Sequence, residues 1–271
     1  DHILVGSKHY LEKYIEIAPW IRKKAEIAYY FPPSMSAGPM EEKPLNFGDR
    51  VTLLFPSRIV KMKGIEEVLH ALARLPERFV LSLPAHAEDE SYRKDIDGLI
   101  RKLGLTNRIF TPSEVVTPET MGKLYREADI VLMTSYYEGF GIAAVEAMSW
   151  GVPVIASEVG GLKEIIQHGK NGLHIKPQDV DGLMKAITYL ANNPDKARVL
   201  ALGGIKTVQQ KFNRTKHMRQ IERIYRKVLR KKQGIWKLFD QTKAAAKEVK
   251  PPLGQEHLLT SQATQPIRRT P

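Results

Sequence analysis

Along most of the chain, apolar runs of strand length alternate with amphipathic segments of helix length. The first pair is VTLLFPS at residues 51–57 followed by GIEEVLHALARL at 64–75, whose apolar positions recur every three or four residues. FVLSLP (79–84) predicts the next strand. A charged helix over 91–103, a short strand over 108–111 and a helix opening at Thr117 follow, with Pro118 in the first helical position, where its missing N–H is harmless. IVLMTS (130–135), a helix after Gly141, PVIAS (153–157), a helix GLKEIIQ ended by Gly169, and GLHIK (172–176) complete the series. Strands apolar at every position are buried on both faces, and intervening helices make them parallel. The expectation is an α/β fold, a doubly wound, Rossmann-like parallel sheet with C-terminal helices.

The flanks read differently. The first 50 residues hold a single strand candidate, ILVGS, a helix candidate over 10–24 and a turn-rich stretch, FPPSMSAGPMEEKP, that reads as a linker. Beyond the sheet, helices over 179–191 and 195–210 lead into HMRQIERIYRKVLRKK. There Met218, Ile221, Ile224, Tyr225, Val228 and Leu229 line one face and require something to pack on. From about residue 234 the periodicity fades, apart from IWKLF, and disorder is expected. The predicted organisation is a flanking segment and linker (1–47), a Rossmann-like domain (48–210), a basic helix (211–233) and a basic tail (234–271). No internal repeat is found.

Composition narrows the class. A chain of 271 residues that is 42% hydrophobic buries a sizeable core without staples. Cysteine is absent, which removes disulfides, thiolate metal sites and cysteine nucleophiles, and fits a reducing compartment, with the cytoplasm as default. No run approaches the roughly 20 apolar residues that cross a bilayer, and DHILVGSKHY lacks a signal-peptide plan. The net charge of +12 is uneven, since residues 203–271 hold 17 Lys and Arg against 4 Asp and Glu, leaving the body nearly neutral. Over 206–232, Glu222 is the sole acidic residue. That stretch is read as peripheral contact with anionic lipid headgroups, with IWKLF as an interfacial anchor, or as solvated surface charge. Nucleic acid is not expected, because no aromatic platform or nucleic-acid fold signature accompanies the charge.

Ligands of an open parallel sheet bind outside the carboxyl ends of its strands. SRIVKMKG follows the first strand and places Arg58 and Lys63 where two cations can meet one anion, with Gly64 starting the helix tightly. EGFG follows IVLMTS, and Gly139 and Gly141 allow a phosphate to approach backbone amides. Two such loops suggest a diphosphate. Each feature has a plainer account: surface charge for Arg58 and Lys63, a favourable N-terminal helix charge for Glu138. Glu146 sits among Ala144, Val145, Ala147 and Met148, where an unpaired carboxylate is costly, so a structural salt bridge competes with a ligand role. Eight helical residues span about 12 Å at most, too far for Glu138 and Glu146 to share a proton but suited to two parts of one extended ligand.

EGFGIAAVEAMSWGVPVIASEVGG, with SRIVKMKG upstream, resembles the C-terminal, donor-binding half of retaining GT-B glycosyltransferases of family 4, whose E-x7-E motif matches Glu138 to Glu146. The likeness covers roughly residues 3–229. It implies that Arg58 and Lys63 hold the donor diphosphate and that the backbone around Gly139, at Phe140, Gly141 and Ile142, supports phosphate and sugar. By the same likeness Glu138 contacts sugar hydroxyls, Glu146 binds the ribose, and TPSEVVT brings Ser113, Glu114 and Val115 to the nucleobase. His86, in HAED, replaces a glycine-rich turn that many relatives carry, and Pro56 and Ser57 stand where many have glycine.

The implied reaction transfers a glycosyl group from a UDP-, GDP- or ADP-sugar to a hydroxyl acceptor, with retention. Arg58, Lys63 and helix-terminal amides would stabilise the leaving diphosphate without a metal, and no further cofactor is expected. The family's N-terminal, acceptor-binding domain is almost entirely missing, since ILVGSKHYLEKY resembles only its last strand and helix and AEIAYYFPPS the crossing between domains. The chain is accordingly expected to be part of a longer or two-part enzyme and inactive alone. The competing readings are another GT-B enzyme, such as a nucleotide-sugar epimerase or a phosphorylase, and a catalytically silent nucleotide-binding or membrane-recruitment module.

Overall fold

The computed structural model describes residues 2–31, 41–45, 47–84, 89–112 and 116–229. A first small unit is β1 (Ile3–Val5), α1 (Lys8–Ile17) and β2 (Ala25–Ile27), with the two strands parallel. The main sheet follows as β3 (Val51–Leu54), β4 (Phe79–Ser82), β5 (Ile109–Phe110), β6 (Ile130–Met133), β7 (Val154–Ser157) and β8 (Leu173–Ile175). Between these lie α2 (Ile65–Arg74), α3 (Glu90–Lys102), α4 (Pro118–Glu127), α5 (Ile142–Ser149) and α6 (Leu162–Ile165). After β8 come α7 (Val180–Asn192), α8 (Pro194–Lys211) and α9 (Arg214–Leu229), which runs past the end of the compact unit Asp1–Ile221.

All six strands are parallel, in the order β5-β4-β3-β6-β7-β8, the doubly wound sheet that the alternating pattern predicts. Side chains alternate across the pleat, so each strand feeds two cores. Leu53, Ile130, Leu132 and Ile155 join one apolar cluster with Ile65 and Leu69 of α2. Leu54, Val131, Met133 and Val154, their neighbours in sequence, join the other with Val145 and Met148 of α5. Uninterrupted apolar strands are explained by helices on both faces.

Helix starts follow local chemistry. Thr117 accepts from the Thr120 amide with Pro118 next to it, Asp89 accepts from Ser91 and Tyr92, and Asp179 accepts from Gly182. Two expectations need correction. The flank holds a second strand, β2, because Ile3 to Val5 pair with Ala25 to Ile27 across a whole helix, a non-local match that a three-residue run cannot signal. α6 ends at Ile165 rather than near Gly169, since Asn171 takes over the end of the turn: its Nδ2 donates to the Ile165 carbonyl at 3.0 Å and its Oδ1 accepts from the Gln167 amide at 2.6 Å. Among the described residues no helix is long and apolar enough to cross a membrane.

In this strand order the direction of winding reverses between β3 and β6, where Leu53 lies opposite Ile130. Loops leaving the carboxyl ends of these two strands border one crevice. They are the loops that carry Arg58, Lys63 and Glu138.

Candidate active site

The β3 loop descends through Arg58, which is exposed, to a 3-10 turn at Lys61–Lys63. Gly64 then adopts φ +70°, and a Cβ there would lie 2.3 Å from the Thr134 carbonyl oxygen. Only glycine lets the two crevice loops approach so closely. They are also stitched together: the Thr134 hydroxyl meets the Lys63 and Gly64 carbonyls at 3.0 and 2.9 Å, and the Tyr136 amide donates to the Met62 carbonyl. This anchoring directs the Lys63 ammonium onto Glu138, with 2.6 Å between Nζ and Oε2. The two side chains are only 18% and 15% exposed, so the pair is less screened than a surface ion pair.

Glu138 is not on the helix. The stretch from Tyr136 to Gly141 is a loop, and α5 begins at Ile142. The helical estimate of the Glu138 to Glu146 separation therefore does not apply, because half of that interval is a bent loop that ends in Gly141 at positive φ. The loop rests on the glycine pair that follows β7. The Gly161 amide donates to the Glu138 carbonyl at 2.8 Å, and a Cβ on Gly160 would fall 2.0 Å from that same oxygen. Gly141 precedes α5 with φ +104°, and no side chain caps the helix. Its first amides therefore face the crevice without a side-chain acceptor.

Glu146 lies in the second turn of α5 and accepts a hydrogen bond from the Tyr125 hydroxyl of α4 at 3.0 Å. Tyr125 is fully buried; burial, then Glu146, pushes its hydroxyl well above the usual tyrosine range. A buried phenol is thus one partner that steadies Glu146. Gly139, Phe140 and Ile142 lie in the same turn as Glu138, so most of the anticipated residues gather at one end of the sheet. Ser113, Glu114, Val115 and His86 fall outside the described residues, as do IWKLF and the tail over 234–271.

Sequence reasoning missed the clamp that holds the first small unit against this loop. Ser7 donates from Oγ to the Gly139 carbonyl at 2.7 Å, and Glu164 accepts from the amides of Lys8 and His9 at 2.9 and 2.6 Å. It also missed the Asp-x-Asp spacing, which occurs twice. Asp97 pairs with Arg93, while Asp179 caps α7 and Asp181 pairs with Arg74 at 2.6 Å, so three of these four carboxylates are engaged structurally. No group of three His, Asp or Glu arranged for a metal is found among the described residues.

The doubly wound parallel sheet, with Lys63 and Glu138 paired beside an uncapped helix start at its switch point, has the α/β fold of GT-B glycosyltransferases. The profile of the family described as "Glycosyl transferases group 1" matches residues 39–206. The chain belongs to that family. A glycosyltransferase of Methanocaldococcus jannaschii, MJ1607, is 33% identical over 165 residues, which are 61% of this chain and 42% of that protein. The chain thus spans less than half of that relative's length. Among solved structures, sucrose-phosphate synthase from Thermosynechococcus elongatus superposes with TM-score 0.71 at 28% identity, covering 84% of this chain and 58% of the other. Anabaena HepE in complex with UDP-glucose superposes with TM-score 0.74 at 23% identity, covering 83% and 64%.

Proposed function

We propose that this chain is the donor-binding half of a retaining family 4 glycosyltransferase, moving a sugar from a nucleoside diphosphate sugar to a hydroxyl acceptor without a metal ion. The observation that carries this reading is the meeting of Lys63, Glu138 and the uncapped start of α5 at the switch point of the sheet. A diphosphate entering there receives Lys63 and Arg58 from one loop and the backbone amides after Gly141 from the other. Glu138 exchanges Lys63 for sugar hydroxyls, and Glu146 serves the ribose. The relative that holds UDP-glucose supports a nucleotide-sugar donor, with UDP, GDP and ADP all to be tried.

In transfer on one face, the acceptor hydroxyl oxygen bonds to the anomeric carbon as the bond from that carbon to the diphosphate oxygen breaks. The hydroxyl proton passes to the departing phosphate oxygen, whose charge the two cations and the helix start stabilise. The parallel pair β1 and β2 is too small to be stable alone, and Leu4, Ile17 and Trp20 are exposed on that segment. These features fit the end of an acceptor-side domain, so donor binding is expected of this chain by itself and turnover only together with that domain. The basic stretch 206–232 is assigned to contact with an anionic membrane surface, at about 1 kcal/mol per basic residue near it.

Calorimetric titration with UDP, GDP and ADP tests the donor reading. Binding of one of them is expected; binding of none by folded protein overturns it. Flotation with vesicles containing or lacking anionic lipid, comparing the chain with a version ending near Gln210, tests the membrane assignment in the same way.

A further inference from the structure

Among the described residues, the large apolar side chains that stand furthest into water are Ile17, 82% exposed, and Trp20, 67% exposed. They lie three residues apart, Ile17 as the last residue of α1 and Trp20 in the 3-10 turn Pro19–Lys23 that follows it. Arg22 and Lys23 belong to the same turn and Lys24 closes it, and all three are exposed. Neither Ile17 nor Trp20 helps to build the core, so their place at this corner calls for another account.

The corner is held firmly. Ile21 is 5% exposed and pins the middle of the turn to the fold, while the Ile21 and Lys24 amides donate to the Ala18 and Ile21 carbonyls at 3.0 and 2.7 Å. The Lys24 carbonyl accepts from the Ile3 amide at 2.8 Å, which ties the end of the turn to β1. With three residues per turn, Trp20 and Lys23 share one side of it. The Lys24 ammonium lies 5.7 Å from the centre of the Trp20 ring, close enough for a cation over an aromatic face. Among the described residues none of Arg22, Lys23 and Lys24 is in an ion pair, and Glu16 and Glu26 are turned to Lys13 at 2.9 Å and His2 at 3.5 Å.

An indole and an isoleucine held rigidly beside three unpaired cations match the boundary of an anionic bilayer. There the ring and the alkyl group enter the upper acyl region, while the indole N–H and the cations meet phosphate oxygens. A second protein domain could cover Leu4 on the β1–β2 pair, but covering this corner too would bury three cations without partners, at a cost. The chain adds a further reason. His217 of α9 meets the Tyr29 carbonyl at 2.8 Å and Gln220, one turn later, donates to the Ile27 carbonyl, so α9 starts beyond β2 and runs back along it toward Ala25 and the turn. The stretch assigned above to an anionic surface is thus seated on the same small unit. We propose that the end of α1 and the turn after it form a membrane-contact patch, with Trp20 and Ile17 as its anchor and Arg22, Lys23 and Lys24 as its contacts to anionic lipid. The patch stands on residues outside 206–232 and outside the donor site.

Flotation and fluorescence quenching test it on the full chain, with vesicles of phosphatidylcholine alone or mixed with phosphatidylglycerol, the latter also with brominated acyl chains that quench tryptophans near them. In a Trp236→Phe background the remaining indoles are Trp20 and the half-buried Trp150. Flotation with the anionic vesicles is expected, with quenching that disappears when Trp20→Phe is added. Trp20→Ala should lower the partition coefficient roughly ten-fold, and Arg22→Gln, Lys23→Gln and Lys24→Gln together up to about 100-fold, with thermal unfolding unchanged because these side chains are exposed. Flotation without quenching at Trp20, or undiminished partition of the folded triple variant, overturns the patch and leaves the assignment of 206–232 standing. Absence of flotation with anionic vesicles overturns both, and nucleotide binding is untouched by either result.

Discussion

Lys63 and Glu138 come from loops 75 residues apart in sequence, yet their charged ends meet at 2.6 Å over the switch point of the sheet. On the proposed donor reading, a diphosphate would compete with Glu138 for this ammonium. Lys63→Ala should therefore weaken the binding of a nucleoside diphosphate by about 10- to 100-fold, as expected for losing one or two charge-assisted hydrogen bonds. Glu138→Gln should do the opposite or nothing for the bare nucleotide, since Lys63 no longer has to leave a carboxylate. Calorimetry at low and high salt checks both, and equal losses in the two variants would mean that the pair is only structural.

How much of this was legible in the sequence depends on the range of each interaction. The neighbours Leu53 and Leu54 enter opposite cores, and an uninterrupted apolar run conveys that directly. Thr117 and Pro118 mark a helix start because capping is settled within one turn. Arg58, Lys63 and Glu138 were legible once the strand order placed their loops together. The Ser7 bond to Gly139 and the Glu164 bond to Lys8 join residues 132 and 156 positions apart, and no local periodicity carries such a pairing. The phenol on Glu146 was hidden for the same reason: a buried tyrosine on α4 reads as core until the fold turns its hydroxyl toward α5.

That phenol supplies a second prediction. Tyr125→Phe removes the donor at 3.0 Å from Glu146 Oε2 while preserving the ring's packing. The expected cost is about 1–3 kcal/mol of unfolding free energy, because a half-buried carboxylate loses a partner. Urea denaturation measures it. If Glu146 holds the ribose, nucleotide affinity should fall as well, and Glu146→Gln, which can still hydrogen-bond, should lose less of it than Glu146→Ala.

Tyr136 donates to Glu67 Oε1 at 2.5 Å beside the crevice, and burial first, then Glu67, pushes its hydroxyl up to about 12. A folded pKa above the unfolded value of about 10 means that the native state holds this proton more tightly. The stabilisation is complete below pH 10 and is lost as pH rises through 12. Ultraviolet titration of the phenolates should show several late tyrosines, Tyr125 and Tyr136 among them, and the Tyr136 component should move toward about 10 in Glu67→Gln. An unchanged titration curve would mean that Glu67 does not hold the proton in place.

Glu164 does for α1 what a residue before the helix ordinarily does, but from another element. Its two carboxylate oxygens receive the Lys8 and His9 amides, while the Ser7 hydroxyl accepts from Tyr10. Burial, then the Glu164 carboxylate, raises the pKa of the Tyr29 hydroxyl just after β2. One side chain of α6 thus holds the start of α1, and through α1 it keeps Tyr10 on Gly139. Glu164→Ala should cost about 0.5–2 kcal/mol, the usual range for a lost cap. The cost should be local. Hydrogen exchange should accelerate at the amides of residues 8–11 while the strands of the main sheet keep their protection. Glu164→Gln retains an acceptor for one amide and should fall between. Uniform acceleration across the sheet would instead make Glu164 part of the global core, and Tyr10 would then need another support.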